Sequence, residues 1–183
     1  GKITWERAGF SPDSVYANIN KYVISLKSPK YTLKNVLFYN LNYFKEPLKG
    51  IVQEKVLANV TASKASYPKF DSYEAIFSIK DIAAGVDYIG GFSLYGRKVV
   101  GRGTDTQDAY LIFKRKDIPF LKMASKVFII KPERIVSQIA AATFYIKNDS
   151  IFHPGLSFKF FVKDRTVSML RDGKGIKITP YTN

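Results

Sequence analysis

Along most of the chain, short runs of Val, Ile, Phe and Tyr alternate with polar residues, and Gly, Pro, Asp, Asn and Lys interrupt them roughly every eight to twelve residues. Period-two alternation puts one set of side chains on each face of an extended strand. Repeated between turn residues, it predicts an all-β fold of antiparallel sheets, stacked or jelly-roll-like, with a β-solenoid segment as the other arrangement it admits. The clearest strand is Leu156 to Lys163. Leu156, Phe158, Phe160 and Val162 face one way, and Ser157, Lys159, Phe161 and Lys163 the other. Arg165 to Leu170 reads as the return strand of a hairpin.

The same reading gives strands at 22–26, 31–39, 74–79, 109–113, 126–130, 134–139 and 143–146, and two short extended pieces within 87–96. Residues 47–60 fit both periods. Leu48, Ile51, Val52 and Val56 could line a helix, but Gly50 and the β-branched content favour strand. Residues 1–14 read as a lead-in, and 62–71 as loop. Glycines 90, 91, 96, 101 and 103 fall at turn-like intervals. Two weak internal echoes suggest stacked β units: Asp87-to-Leu94 against Asp149-to-Phe158, and Tyr22-to-Pro29 against Lys126-to-Pro132.

The 183 residues suffice for a single β-rich domain with a real core. The absence of cysteine removes disulfides and thiolate metal sites and leaves the compartment open. No window reaches the ~18 apolar residues of a membrane-spanning helix. The first thirty residues hold no charged-then-apolar signal segment, and the opening on Gly1 rather than Met suggests a tag scar or an excised piece of a longer chain. The net charge of +14 favours anionic partners, although the basic residues are dispersed and the densest cluster is Lys114-Arg115-Lys116.

Candidate chemistry is sparse, and the sequence nominates no catalytic, cofactor or metal residue. His153 is the only histidine, which excludes two-histidine metal sites and leaves any nucleophilic triad a single base. It sits in Phe152-His153-Pro154-Gly155, a turn. Asp71, Glu74, Asp81, Asp87, Asp105, Asp108 and Asp117 offer paired carboxylates, but in no glycosidase pattern. Gly101-Arg102-Gly103-Thr104 lacks the lysine of a phosphate loop and reads as a hairpin turn. Asp105 and Asp108 are too few for a dedicated calcium site. Asn59-Val60-Thr61 and Asn148-Asp149-Ser150 match the glycosylation triplet, which is short enough to arise by chance. One local anion or ligand contact stands out: Lys159, Phe161 and Lys163 on an outward strand face, with Lys147 and Arg165 nearby, where an aromatic between cations can stack a base or a sugar. Tyr88, Phe92 and Tyr95 form a second candidate, an aromatic sugar platform, for which core packing is the competing fate.

The phrases Gly90-Gly91-Phe92-Ser93-Leu94-Tyr95-Gly96, Asp149-Ser150-Ile151 and His153-Pro154-Gly155-Leu156 resemble large cell-envelope β proteins and the stacked β-jelly-roll units of the lipopolysaccharide-transport (OstA-like) family, over residues 73–170. That resemblance implies a periplasmic or cell-surface location, a groove for acyl chains and end-to-end stacking of β units, and no binding residue carries over individually. The leading expectation is a non-enzymatic scaffold or binding module contacting an anionic or amphipathic lipid or glycan, or neighbouring β units of the same protein. A carbohydrate-binding β-sandwich and a nucleic-acid-binding β domain are the alternatives. Scattered cations argue against the last, because they cannot follow a regular phosphate track.

Overall fold

The computed structural model describes residues 1–20, 30–55, 60–73, 75–171 and 174–178. The fold is all-β, and the fifteen strands among the described residues account for nearly all of its regular structure. They are β1 (Lys2–Thr4), β2 (Val15–Asn18), β3 (Lys30–Asn40), β4 (Leu48–Lys55), β5 (Lys69–Asp71), β6 (Phe77–Ala83), β7 (Val86–Tyr95), β8 (Lys98–Arg102), β9 (Ala109–Arg115), β10 (Ile118–Ser125), β11 (Val127–Ile130), β12 (Arg134–Ile146), β13 (Asp149–Phe161), β14 (Thr166–Arg171) and β15 (Lys174–Ile178). Two single turns of 3-10 helix, Glu6–Ala8 and Ala62–Lys64, are the helical content among these residues.

The chain divides into two compact units. The first comprises Gly1–Phe77 and Gly91–Val99, the second Ser78–Gly90 and Val100–Asn183. Strands β7 and β8 therefore run from one unit into the other.

In the first unit β1, β2, β3, β4 and β5 pair in sequence order, all antiparallel, and β5 pairs with the second half of β7 through Lys69↔Tyr95 and Asp71↔Ser93. The expected lead-in belongs to this unit's sheet and core. β1 pairs with β2, and Trp5 is fully buried with its indole N–H donating to the Pro68 carbonyl at 2.9 Å. Around it the rings of Phe38 and Phe70 stack at 4.1 Å, and Phe44 meets Phe92 edge-on at 5.2 Å. Such ring contacts add to the area each ring removes from water. Of the ambiguous stretch 47–60, Leu48–Lys55 is strand β4, as the β-branched content favoured, and 56–59 lie outside the described residues. Gly50 is required there, because a Cβ would come within 2.6 Å of the Phe70 ring.

In the second unit the first half of β7 pairs with β9, β9 with β10, and β10 with β12. From β12 the chain continues through β13, β14 and β15 as an antiparallel meander, with β11 also on β12. The predicted alternation of β13 holds. Leu156, Phe158 and Phe160 are buried, Lys159 and Phe161 are outward, and Val162, one residue past the strand, is half-buried. Phe160 meets Phe113 edge-on at 5.1 Å, and Phe158 meets Phe128 at 6.0 Å. The pieces read at 134–139 and 143–146 are one thirteen-residue strand, β12, interrupted by register shifts between Ser137 and Ala142. Buried hydroxyls fix that irregularity. The Ser125 and Ser137 hydroxyls lie 2.8 Å apart, and the Ile139 carbonyl is within hydrogen-bond reach of both, at 2.9 and 3.0 Å.

Three of the glycines taken for turns are corrected. Gly90 and Gly91 lie within β7 and Gly101 within β8, and a Cβ on Gly90 or Gly101 would strike the buried Tyr88 phenol ring. Those two make room for an aromatic side chain. Gly96 does turn the chain, with φ +56°. Strands β1, β2, β5, β8, β10 and β15 had no counterpart in the sequence reading, β5 falling at the end of the stretch read as loop, and the strand expected at 74–79 starts later, at Phe77. The strand expected at 22–26 lies outside the described residues.

Candidate functional site

The five predicted contact residues divide between two places in the second unit. Lys159 and Phe161 are exposed on the outer face of β13, in rungs Val136↔Lys159↔Ser168 and Arg134↔Phe161↔Thr166. Lys163 and Arg165 occupy the turn that follows. Arg165 adopts φ +52° and lies against Gly85, whose Cβ would come 3.2 Å from its guanidinium. The structure adds Arg134 opposite Phe161, a neighbour that only the β12–β13 register reveals. Lys147 does not join this group. It forms the turn closing the other end of the β12–β13 hairpin, at φ +52°, a full strand length away along β13.

What Lys147 does meet is a second cluster. The register pairs Leu121 with Phe144 and Lys122 with Thr143, so β10 continues back to Ile118 as β12 continues on to Lys147. The β9–β10 turn thus lies beside the β12–β13 turn. Between them they expose Ile118 at 69%, Ile146 at 52%, Ile151 at 45% and Phe152 at 61% of their surfaces. Arg115, Lys116 and Lys147 are exposed among these residues. Next to the turns, Ile112, Pro119, Lys122 and Tyr145 line a shallow, mostly apolar hollow of about 370 Å³, with the Lys122 ammonium 5.1 Å from the Tyr110 ring centre. Ile151 and Phe152, consecutive in β13, open on opposite faces, so the exposed apolar side chains flank both sides of this edge; grouped exposed apolar side chains mark contact surfaces, whereas isolated ones do not.

The aromatic platform is dismantled. Tyr88 and Phe92 are fully buried in their cores, and burial pushes the Tyr88 phenol far above its ordinary pKa, a backbone contact at Arg102 partly opposing it. Tyr95 alone remains near the surface, in a cleft of the first unit of about 130 Å³ lined by Ile51, Gln53, Lys69, Asp71, Tyr73 and Tyr95. There the Asp71 carboxylate accepts from the Tyr95 hydroxyl at 2.7 Å, the Ser93 hydroxyl at 3.0 Å and the Tyr73 N–H at 2.7 Å. The Lys69 ammonium stands 4.7 Å from the Tyr67 ring centre and 5.4 Å from that of Tyr95. The pairing β4–β5–β7 assembles this cleft from three separate stretches, so no local sequence signal could have found it.

Asp108 and Asp87, two of the carboxylates considered for acid–base chemistry, are engaged by lysines. Asp108 pairs with Lys126 at 3.3 Å, and that ammonium also donates to the Thr104 carbonyl at 2.9 Å, so the turn beside Asp105 is already served by a cation of the chain itself. Burial pushes the Asp87 carboxyl up, but the Lys114 ammonium at 2.9 Å and the Asp81 N–H outweigh it, and its pKa falls below the ordinary range. A carboxyl held ionised cannot serve as a general acid. Among the described residues, the raised carboxyl is that of Glu54 in the first unit, pushed up by burial against the opposing pull of Arg7 at 2.8 Å. His153 is exposed on β13, edge-on to Phe144. Among the described residues, no three His, Asp or Glu side chains gather as a metal cluster, and no helix is long and apolar enough to cross a membrane.

No family model, curated protein or solved structure matches the chain.

Proposed function

We propose that the chain is a non-enzymatic β-rich binding and scaffolding module of a cell-envelope or surface protein, and that it engages an anionic, amphipathic partner through the β9–β10 and β12–β13 turns. The observation that carries this reading is the exposed set Ile118, Ile146, Ile151 and Phe152 with Arg115, Lys116 and Lys147 among them. Apolar side chains displayed beside cations suit a partner with an acidic surface and an apolar interior or face. The envelope setting is supported by the likeness of residues 73–170 to envelope β proteins and by the +14 charge. Retention on anionic vesicles and on a sulfated glycan, against neutral vesicles, tests it across a salt gradient. Binding to an anionic support that weakens with salt is the expected result, and no retention on any support contradicts it.

A second reading, carbohydrate binding, is favoured by the Asp71 cleft. An oriented carboxylate, an amide at Gln53, an ammonium at Lys69 and the rings of Tyr73 and Tyr95 are the group types that hold a sugar ring. Titration with mono- and disaccharides checks it, with Asp71→Asn as the variant expected to lose binding.

A further inference from the structure

Resting on that proposed function, we infer that the β9–β10 and β12–β13 turns form a wedge that enters the surface of an anionic lipid bilayer. Ile118, Ile146, Ile151 and Phe152 reach the headgroup–acyl boundary, and Arg115, Lys116 and Lys147 rest on the headgroups. Three features select a bilayer over a protein groove or an added strand. First, the apolar residues stand exposed at and beside two adjacent turns, where turn residues are ordinarily polar. Exposed apolar side chains with cations among them are complementary to a fluid surface that is charged outside and apolar within. Second, the charge is complementary. The turns carry three cations against Asp117 and Asp149, Asp149 is engaged with the Ser150 N–H at 2.7 Å, and the whole chain carries +14. Each basic residue held near an anionic leaflet adds to the attraction. Third, the exposed half of β13 is a poor template for another strand. Pro154 has no N–H to offer, and Gly155 at φ +70° kinks the backbone.

The test is flotation with vesicles of phosphatidylcholine alone and with about 30% phosphatidylglycerol, the anionic fraction supplying the negative surface potential. The wild type is expected to float with the anionic vesicles only. Ile118→Ser with Phe152→Ser should weaken that partition about tenfold by withdrawing two apolar side chains from the interface. Lys159→Gln with Lys163→Gln, at the other end of β13, should change it less than about twofold. Should the apolar double variant fold poorly, Phe152→Trp gives a direct reading. A blue-shifted emission quenched by brominated acyl chains supports the wedge, and emission unchanged by vesicles overturns it. Flotation of the apolar double variant equal to wild type also overturns the wedge while leaving an anionic partner in place. No flotation, with retention on a sulfated glycan preserved, overturns the wedge and points to a glycan. Loss of both overturns the wedge and the proposed function together.

Discussion

Strand β13 contains two halves of opposite fate. From Leu156 to Phe161 buried and outward residues alternate, and the strand is flanked on both sides, by β12 and by β14. From Asp149 to Gly155 every residue is exposed, and the registered partner among the described residues is β12 alone. Both halves are rich in apolar residues, so composition does not separate them. The difference lies in periodicity and neighbours. In the second half Phe158 and Phe160 meet rings across the core. In the first half Ile151 and Phe152 are consecutive, so they point to opposite faces, and both are open to solvent. Alternation marks a sheet face that folding buries. An unbroken apolar run at a turn marks a surface left for something else.

The widest separation between the halves is expected in stability. Phe158→Ala should cost about 3–5 kcal/mol, because it removes a fully buried ring from a packed core. Phe152→Ala should stay within about 0.5 kcal/mol. Urea melts of the two variants measure the contrast, and equal losses would erase it.

A smaller loss is expected at the irregularity in β12, where the two halves of the hairpin meet. Ser125→Ala should cost about 1–3 kcal/mol, because the buried Ser137 hydroxyl and Ile139 carbonyl each lose a partner. Amide exchange should then quicken first around Ser137 to Ala142, and exchange unchanged there would mean the hydroxyls do not hold the bend.

Charge sharpens the contrast further. The Asp87 carboxyl is held below its unfolded pKa, so its contribution is present above that unfolded value and is lost as pH falls through the lower folded one. Asp87→Asn should therefore flatten the acid limb of stability against pH, whereas Lys116→Gln with Lys147→Gln should leave that limb unchanged. Glu54 has the opposite sign. Its folded pKa is raised, so stability should decline as pH climbs from the unfolded value through the raised one, and Glu54→Gln should remove that decline. A decline that persists in Glu54→Gln would assign it to another group.

The smallest effect is expected from the outward cations of the second half. Lys159→Gln with Lys163→Gln should weaken DNA binding only in proportion to net charge, and binding should be weak at about 150 mM salt. Anisotropy showing submicromolar affinity there, abolished by the double variant, would make that row a nucleic-acid site.

The second half of β13 was legible because alternation is a local signal, and so were β3, β4, β9 and β14. Strand β10 received no reading from the sequence; Lys116 and Asp117, at positive φ, turn the chain, and the strand begins at the very next residue, Ile118. Gly90 and Gly101 misled because a glycine that opens space for Tyr88 has the same letter as one that turns the chain. Lys147 was grouped with Lys159 on nearness in sequence, whereas register sends it to the opposite end of the strand. Arg134, the Ile118–Phe152 cluster and the Asp71 cleft all depend on pairings between distant segments, which no local window contains.

Hydrogen–deuterium exchange of the intact chain, with and without anionic vesicles, tests the central division most directly. Protection on vesicle addition is expected at 115–119 and 145–152 and not at 156–170. Protection centred on 156–170, or uniform across the chain, would contradict it.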